Sequence, residues 1–132
     1  MKTTTNRRRK RASRSAALPR FRTDHLVAVR SFLADRDDVC EGRMFGYPAF
    51  FVGRRMFACV YGEGVGIKVP AELAACLLER TDTEPFRPYG KATMKEWVQI
   101  NHARANDYQA DLSVFLASVR FAADGQESGG RS

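Results

Sequence analysis

The stretch "MFGYPAFFVG", residues 44–53, decides how the fold is read. A Met, three Phe and a Tyr in ten positions give it the apolar content of a strand. Gly46 and Pro48 both weaken a strand, since Gly adds conformational entropy and Pro donates no ladder hydrogen bond. One long, edge-like strand over about 43–52 reconciles the two signals, with a bulge or bend at Gly46–Pro48 where no ladder donor is needed. Bulges also gather near binding sites, so the same bend is the alternative place for a small ligand or an enzyme's substrate.

Reading outward, "RMFACVY" (55–61) and "VGIKV" (65–69) follow as a second and third strand. Gly53-Arg54 and Gly62-Glu63-Gly64 supply short hairpin turns, which makes the meander antiparallel. In the second strand Met56, Ala58 and Val60 face one way, and Phe57, Cys59 and Tyr61 the other. Neither face is therefore wet, and burial within a monomer or in a homodimer is expected. Upstream, "TDHLVAVRSFLADR" has Thr23 or Asp24 as N-cap and Leu26, Val29 and Leu33 on one stripe, a first helix. Downstream, Pro70 opens a second helix with Leu73, Cys76 and Leu77 on its buried side. Two short strands near 86–89 and 95–100 come next, with the Trp97 ring against a helix. A last helix over about 106–122 carries Tyr108, Leu112, Phe115, Leu116 and Val119, and Gly125 is placed to stop it. The order α-β-β-β-α-β-β-α predicts a single α+β domain, an antiparallel sheet packed with helices.

A chain of 132 residues with 44% hydrophobic content has enough to bury one core. No run of 18 apolar residues is present, and no apolar segment follows the charged N-terminus as in a secretory signal. Cys40, Cys59 and Cys76 are odd in number and set among apolar neighbours, which fits reduced, partly buried thiols in a cytoplasmic protein. With His25 and His102 as the only histidines and no CxxC pair, no metal site is expected.

The net charge of +7 is unevenly divided. Residues 1–22 hold nine Lys and Arg and no acid, so the remainder carries 13 basic residues against 15 acidic ones. Residues 1–21 read as a disordered basic arm, 22–124 as the folded domain and 125–132 as a short disordered tail. In the arm, Arg7, Arg8, Arg9, Lys10, Arg11 and Arg14 form a block that reads either as a solvated tail with no fixed partner or as a contact for nucleic acid phosphates, with salt-dependent and sequence-independent affinity. It contains no aromatic residue before Phe21, so base stacking is not expected of it.

"RMFGYPAFFVGRRMFACVYGEGVGIKVPAEL" (43–73) and "PFRPYGKATMKEWVQI" (85–100) together resemble the N-terminal domain of the TfoX/Sxy family of bacterial competence regulators. Met44, Phe45 and Gly46 lead a strand, Gly53 turns it, and Met56 and Phe57 lie in the next. Lys68, Phe86, Tyr89, Gly90, Met94 and Trp97 follow in family order. The resemblance implies a small α+β domain, a link to transcription regulation, a regulatory protein as a possible partner, and no catalytic residue or cofactor. It makes these motif residues structural. Full-length regulators of this type carry a second, helical domain, for which the chain after residue 124 leaves no room.

Other features are read as architecture. "GEGVGIK" (62–68) matches neither phosphate-loop spacing, and a hairpin is expected. Cys40 has no histidine near it in sequence, since His25 lies at the far end of the first helix, and reads as a structural thiol. Asp37, Asp38 and Glu41 read as solvated carboxylates, and His102 as a surface histidine.

Overall fold

Phe45 and Gly46 both have positive φ, 52° and 89°. That pair of left-handed residues makes a two-residue hairpin turn, so the long first strand is in fact two strands. In the computed structural model, which describes residues 20–88 and 95–131 (side chains to Gly125), β1 is Val39–Met44 and β2 is Tyr47–Val52. They pair antiparallel from Met44↔Tyr47 to Val39↔Val52. Gly46 is a turn residue and not a bend within a strand. Pro48 lies just outside the β2–β3 ladder, which begins at Ala49↔Cys59, and there a missing N–H costs nothing. An apolar residue, Phe45, in the left-handed position gave no turn signal in the sequence.

The bulge is real but sits elsewhere. β3 (Arg55–Tyr61) pairs with β2 as Phe50↔Ala58 and then Phe51↔Met56, which leaves Phe57 as one residue too many on β3. Both Phe57 and Ala58 consequently join the core on the helical face, together with Val60. Cys59 points to the opposite face, where Met56 and Tyr61 also pack. Phe57, Ala58, Cys59 and Val60 are all fully buried within this chain.

β4 (Gly64–Lys68), α2 (Ala71–Leu77), β5 (Thr83–Pro85) and β6 (Trp97–Ile100) follow. A 3-10 helix (Ala105–Asp111) runs into α3 (Leu112–Arg131), and α1 (Thr23–Leu33) precedes β1. The antiparallel sheet has six strands in the order β1-β2-β3-β4-β6-β5. The α+β class and single sheet are as expected, with one strand more. β5 lies upstream of the expected 86–89 because Phe86 leaves the sheet edge and lies over its second face. A Cβ on Gly66 of β4 would stand 2.7 Å from that ring, so this glycine is in a strand to admit Phe86.

Helices cover one face of the sheet, where Leu26, Val29, Phe57, Val65, Ile67, Ile100, Tyr108 and Phe115 form the main core. Tyr47, Cys59, Phe86 and Trp97 form a smaller cluster on the other face. The Trp97 ring therefore meets Phe86, 5.3 Å between centroids, and not a helix. In α2 the buried residues are Ala74 and Leu77, while Cys76 is exposed. The last helix is rotated from the expected stripe. Leu112 and Leu116 are 39% and 41% exposed, and Asp111 and Ser118 take buried places beside Tyr108, Phe115, Val119 and Ala122. α3 also passes through Gly125 instead of stopping there. A lone interior glycine costs a helix only about 1 kcal/mol.

Ser118 explains its own burial. Its hydroxyl lies 3.1 Å from the Phe57 carbonyl at the bulge and 2.6 Å from the Lys68 carbonyl, tying α3 to β3 and to the end of β4. The β3–β4 ladder ends at Ala58↔Ile67, so the Lys68 carbonyl lies beyond its last pair, and a buried acceptor there needs a donor. Ser118→Ala should lower stability by about 1–3 kcal/mol in urea denaturation, because it removes a donor from a buried site. An unchanged midpoint would show that the Lys68 carbonyl is satisfied without it.

Candidate functional site

Charged and polar side chains concentrate where the loop 101–104 crosses between β6 and the 3-10 helix. Arg80, just beyond α2, donates to Asp82 (2.9 and 2.8 Å) and to Asp111 (2.8 and 3.2 Å). His102 Nε2 lies 2.7 Å from Asp111 Oδ2, and its Nδ1 is 3.5 Å from Asp82 Oδ2. The Tyr108 ring stands edge-on to both histidines, at 4.9 Å from His25 and 4.6 Å from His102. Its hydroxyl donates to the Ile100 carbonyl at 2.7 Å. His25 Nε2 is 2.9 Å from the His102 carbonyl, which can only accept, so Nε2 carries the proton. Arg22 reaches the Ala103 carbonyl at 2.8 Å while paired to Asp24.

The electrostatics follow the contacts. Asp111 and Asp82 raise the Arg80 pKa well above its ordinary value, and Arg80 holds the Asp82 carboxyl below its own. Burial pushes the Tyr108 phenol up. Burial, helped by nearby Arg22, pushes the His25 imidazole down.

An Asp–His pair at 2.7 Å is the arrangement that orients a general base. Here the second ring nitrogen of His102 faces another carboxylate, and Asp111 is shared with Arg80. The donors and acceptors close on one another. What this arrangement does chemically is clamp the 101–104 loop to α1, to the segment after α2 and to the 3-10 helix. His102 is accordingly a clamped, partly buried residue and not a surface histidine.

A second feature lies at the start of the described chain. The Arg20 carbonyl accepts from Gly62 N–H at 2.7 Å, and Phe21 bridges in parallel to Gly62, so the first residues are fixed to the β3–β4 turn. Phe21, assigned to the arm by its sequence, packs against both apolar clusters. Beside it opens a cleft of about 560 Å³ lined by Arg20, Phe21, Tyr47, Tyr61, Gly62 and Glu63. Tyr47 and Tyr61 lie 4.6 Å apart and continue through Phe86 to Trp97 as one row of rings. Tyr47, between Gly46 and Pro48, thus reaches the cleft while its two neighbours serve the turn and the ladder end.

The remaining candidates are dispersed. Arg7, Arg8, Arg9, Lys10, Arg11 and Arg14 lie outside the described residues, as do Tyr89, Gly90 and Met94. Met44 and Met56 pack on the smaller cluster, and Phe57, Phe86 and Trp97 are buried. Gly53 turns β2 into β3 with φ 60°. Lys68 has its ammonium 6.0 Å from the Phe121 ring. Phe45 is 71% exposed. Cys40 is exposed on β1, while burial pushes the Cys59 thiol up to about 12. No group of three or more potential metal ligands occurs among the described residues. No helix among them is long and apolar enough to cross a membrane.

The TfoX N-terminal domain family matches residues 31–122, more than half of the chain. The chain belongs to that family. No curated protein and no solved structure matches it. The matched span of this TfoX N-terminal domain begins within α1 and ends in α3, so it contains all six strands and the loop clamp, apart from Arg22, Asp24 and His25.

Sequence reasoning missed the clamp, although a signal for it was present. Arg-x-Asp occurs at 22–24, 36–38 and 80–82, and in each case the arginine grips the aspartate two residues on with a pair of hydrogen bonds. Two of the three, at 22–24 and 80–82, stand on either side of the loop.

Two measurements follow. Cys40 and Cys76 should react with a maleimide in the native protein, and Cys59 only after unfolding, so thiol counting should give two fast sites and one slow one. A native count of three would show that the sheet opens at β3. The second is pH. His25 is kept neutral by burial, so the unfolded chain binds the extra proton; stability is full above about pH 6.5 and declines as pH falls toward the folded-state pKa. His25→Gln should flatten this decline in urea midpoints between about pH 6.5 and 5. An unchanged slope would assign it to another group.

Proposed function

We propose that this TfoX N-terminal domain protein is a non-enzymatic, cytoplasmic regulatory protein linked to transcription, which meets nucleic acid through its basic N-terminal arm. The observation that carries the reading is the division of charge. Residues 1–19 hold seven of the 22 Lys and Arg and no acid, so the rest of the chain has no net charge. Arg22 belongs with the loop clamp, and its charge is met by Asp24 and Glu63. Net positive charge is therefore concentrated upstream of the Arg20 anchor. Lys and Arg in such a block release counterions from phosphates whatever the base sequence. Family membership supports the link to transcription regulation, and the mutual pairing of the Arg80–His102–Asp111 cluster supports a non-enzymatic role.

Full-length protein should bind duplexes of unrelated sequence about equally, with affinity falling steeply with salt. With five or six arm residues engaged, the log–log slope should be roughly −5. A chain lacking residues 1–19 keeps the Arg20 anchor and should lose most of that slope. Should the shortened chain retain the full slope, the folded surface and not the arm would be the binding element. Absence of binding by either chain at low salt would overturn the nucleic acid reading.

A further inference from the structure

β1 is an edge strand, paired only with β2. Among the described residues nothing pairs with its outer side. In an antiparallel ladder the backbone groups of alternate residues point the same way. Met44 and Tyr47 close a two-residue turn as a bonded pair, so the N–H and C=O of Arg43, Glu41 and Val39 point outward. An outward row of that kind is a template for another strand.

We propose that a second copy of this chain covers this edge, β1 against β1, about a two-fold axis through Gly42. Symmetry and charge together select the register. A two-fold axis normal to the sheet keeps both helical layers on one side, and residues directly opposite must point to the same face. Val39, Glu41 and Arg43 share one face, and Cys40, Gly42 and Met44 the other. The axis must therefore pass through a residue and not between two. About Cys40 or Arg43 the six-residue strands overlap by only three residues. About Glu41 they overlap by five, but two carboxylates meet face to face. About Gly42 they also overlap by five, and each Glu41 stands opposite Arg43 of the other copy, twice over.

Two further features agree with this register. Glu41 already lies in a cationic setting, with Arg30 of α1 bonded to it at 2.8 and 2.7 Å. Phe45, the most exposed large apolar residue among those described, falls alongside Val39 of the second copy, which packs at the rim of the main core. At the centre Gly42 faces Gly42, so the two backbones meet with no side chain between them. Five paired residues a side make a small interface, hence a weak and salt-sensitive dimer. The proposal is independent of any role for the basic arm.

Sedimentation of full-length, nucleic-acid-free protein from about ten to several hundred micromolar tests it. Wild type should pass from monomer to dimer over that range, and less so at high salt. Glu41→Arg and Arg43→Glu should each weaken association ten-fold or more, because either change sets like charges opposite at both pairs. An equimolar mixture of the two variants should associate again, since it sets two arginines of one copy against two glutamates of the other. Arg120→Glu, on the exposed side of α3, should behave as wild type. Thermal melts of each variant establish that it is folded; if Glu41→Arg is not, Arg43→Glu and the salt series decide. A wild type that stays monomeric throughout, single variants that dimerise normally, or a mixture of folded variants that does not associate would each overturn the proposal.

Discussion

Between Phe50 and Phe51 the β2–β3 ladder loses step, because Phe57 is one residue too many on β3. That misfit organises the layer above it. It turns two successive residues, Phe57 and Ala58, toward the helices, and the β3–β4 ladder ends beside it at Ala58↔Ile67. Just beyond that last pair the Ser118 hydroxyl donates to the Lys68 carbonyl at 2.6 Å and lies 3.1 Å from that of Phe57, which fixes how α3 is rotated about its axis. With Ser118 inward, Asp111 two turns earlier is also inward, and Leu112 and Leu116 are left at the surface. The buried Asp111 then needs cations, and Arg80 and His102 supply donors. A defect in one strand pairing is thus coupled through one helix to the polar clamp at the far end of that helix.

The sheet's other face is organised by shape. Gly66 has no side chain where the Phe86 ring lies, and the row from Tyr47 to Trp97 closes over Cys59. Phe86 and Trp97 are therefore large and aromatic for a packing reason, the covering of a sheet that is apolar on both sides. Phe45 is different: it holds a left-handed turn position and stays in contact with solvent.

The sequence was readable wherever apolar residues kept a regular period. The α1 stripe of Leu26, Val29 and Leu33 and the buried Tyr108, Phe115 and Val119 came from spacing alone, and the antiparallel meander from the short Gly turns between its strands. It misled where a residue acted against its type. Phe45 in a turn carried no turn signature, so two strands read as one. Asp111 and Ser118 are polar and buried, and the stripe was assigned to the more apolar Leu112 and Leu116. The bulge was inferred from Gly and Pro, yet it lies at a phenylalanine, since what displaces it is the count of residues between two turns and not any residue's propensity. The clamp was the least legible part, for it joins positions up to 83 residues apart whose partners only the folded sheet brings together.

The hydrogen bond from Gly62 to Arg20 sets a geometric limit on everything upstream. A chain extends at most about 3.3–3.6 Å per residue, so no part of residues 1–19 can lie more than about 70 Å from the β3–β4 turn. On duplex DNA, at about 3.4 Å per base pair along each strand, that radius corresponds to roughly 20 base pairs to either side of the anchor. The seven cations of this segment are leashed charge, confined to a sphere centred on one fixed point of the domain surface. Whatever polyanion they hold is thereby kept within a bounded distance of the Tyr47–Tyr61 cleft, so their local concentration there is set by leash length rather than by the amount of protein in solution.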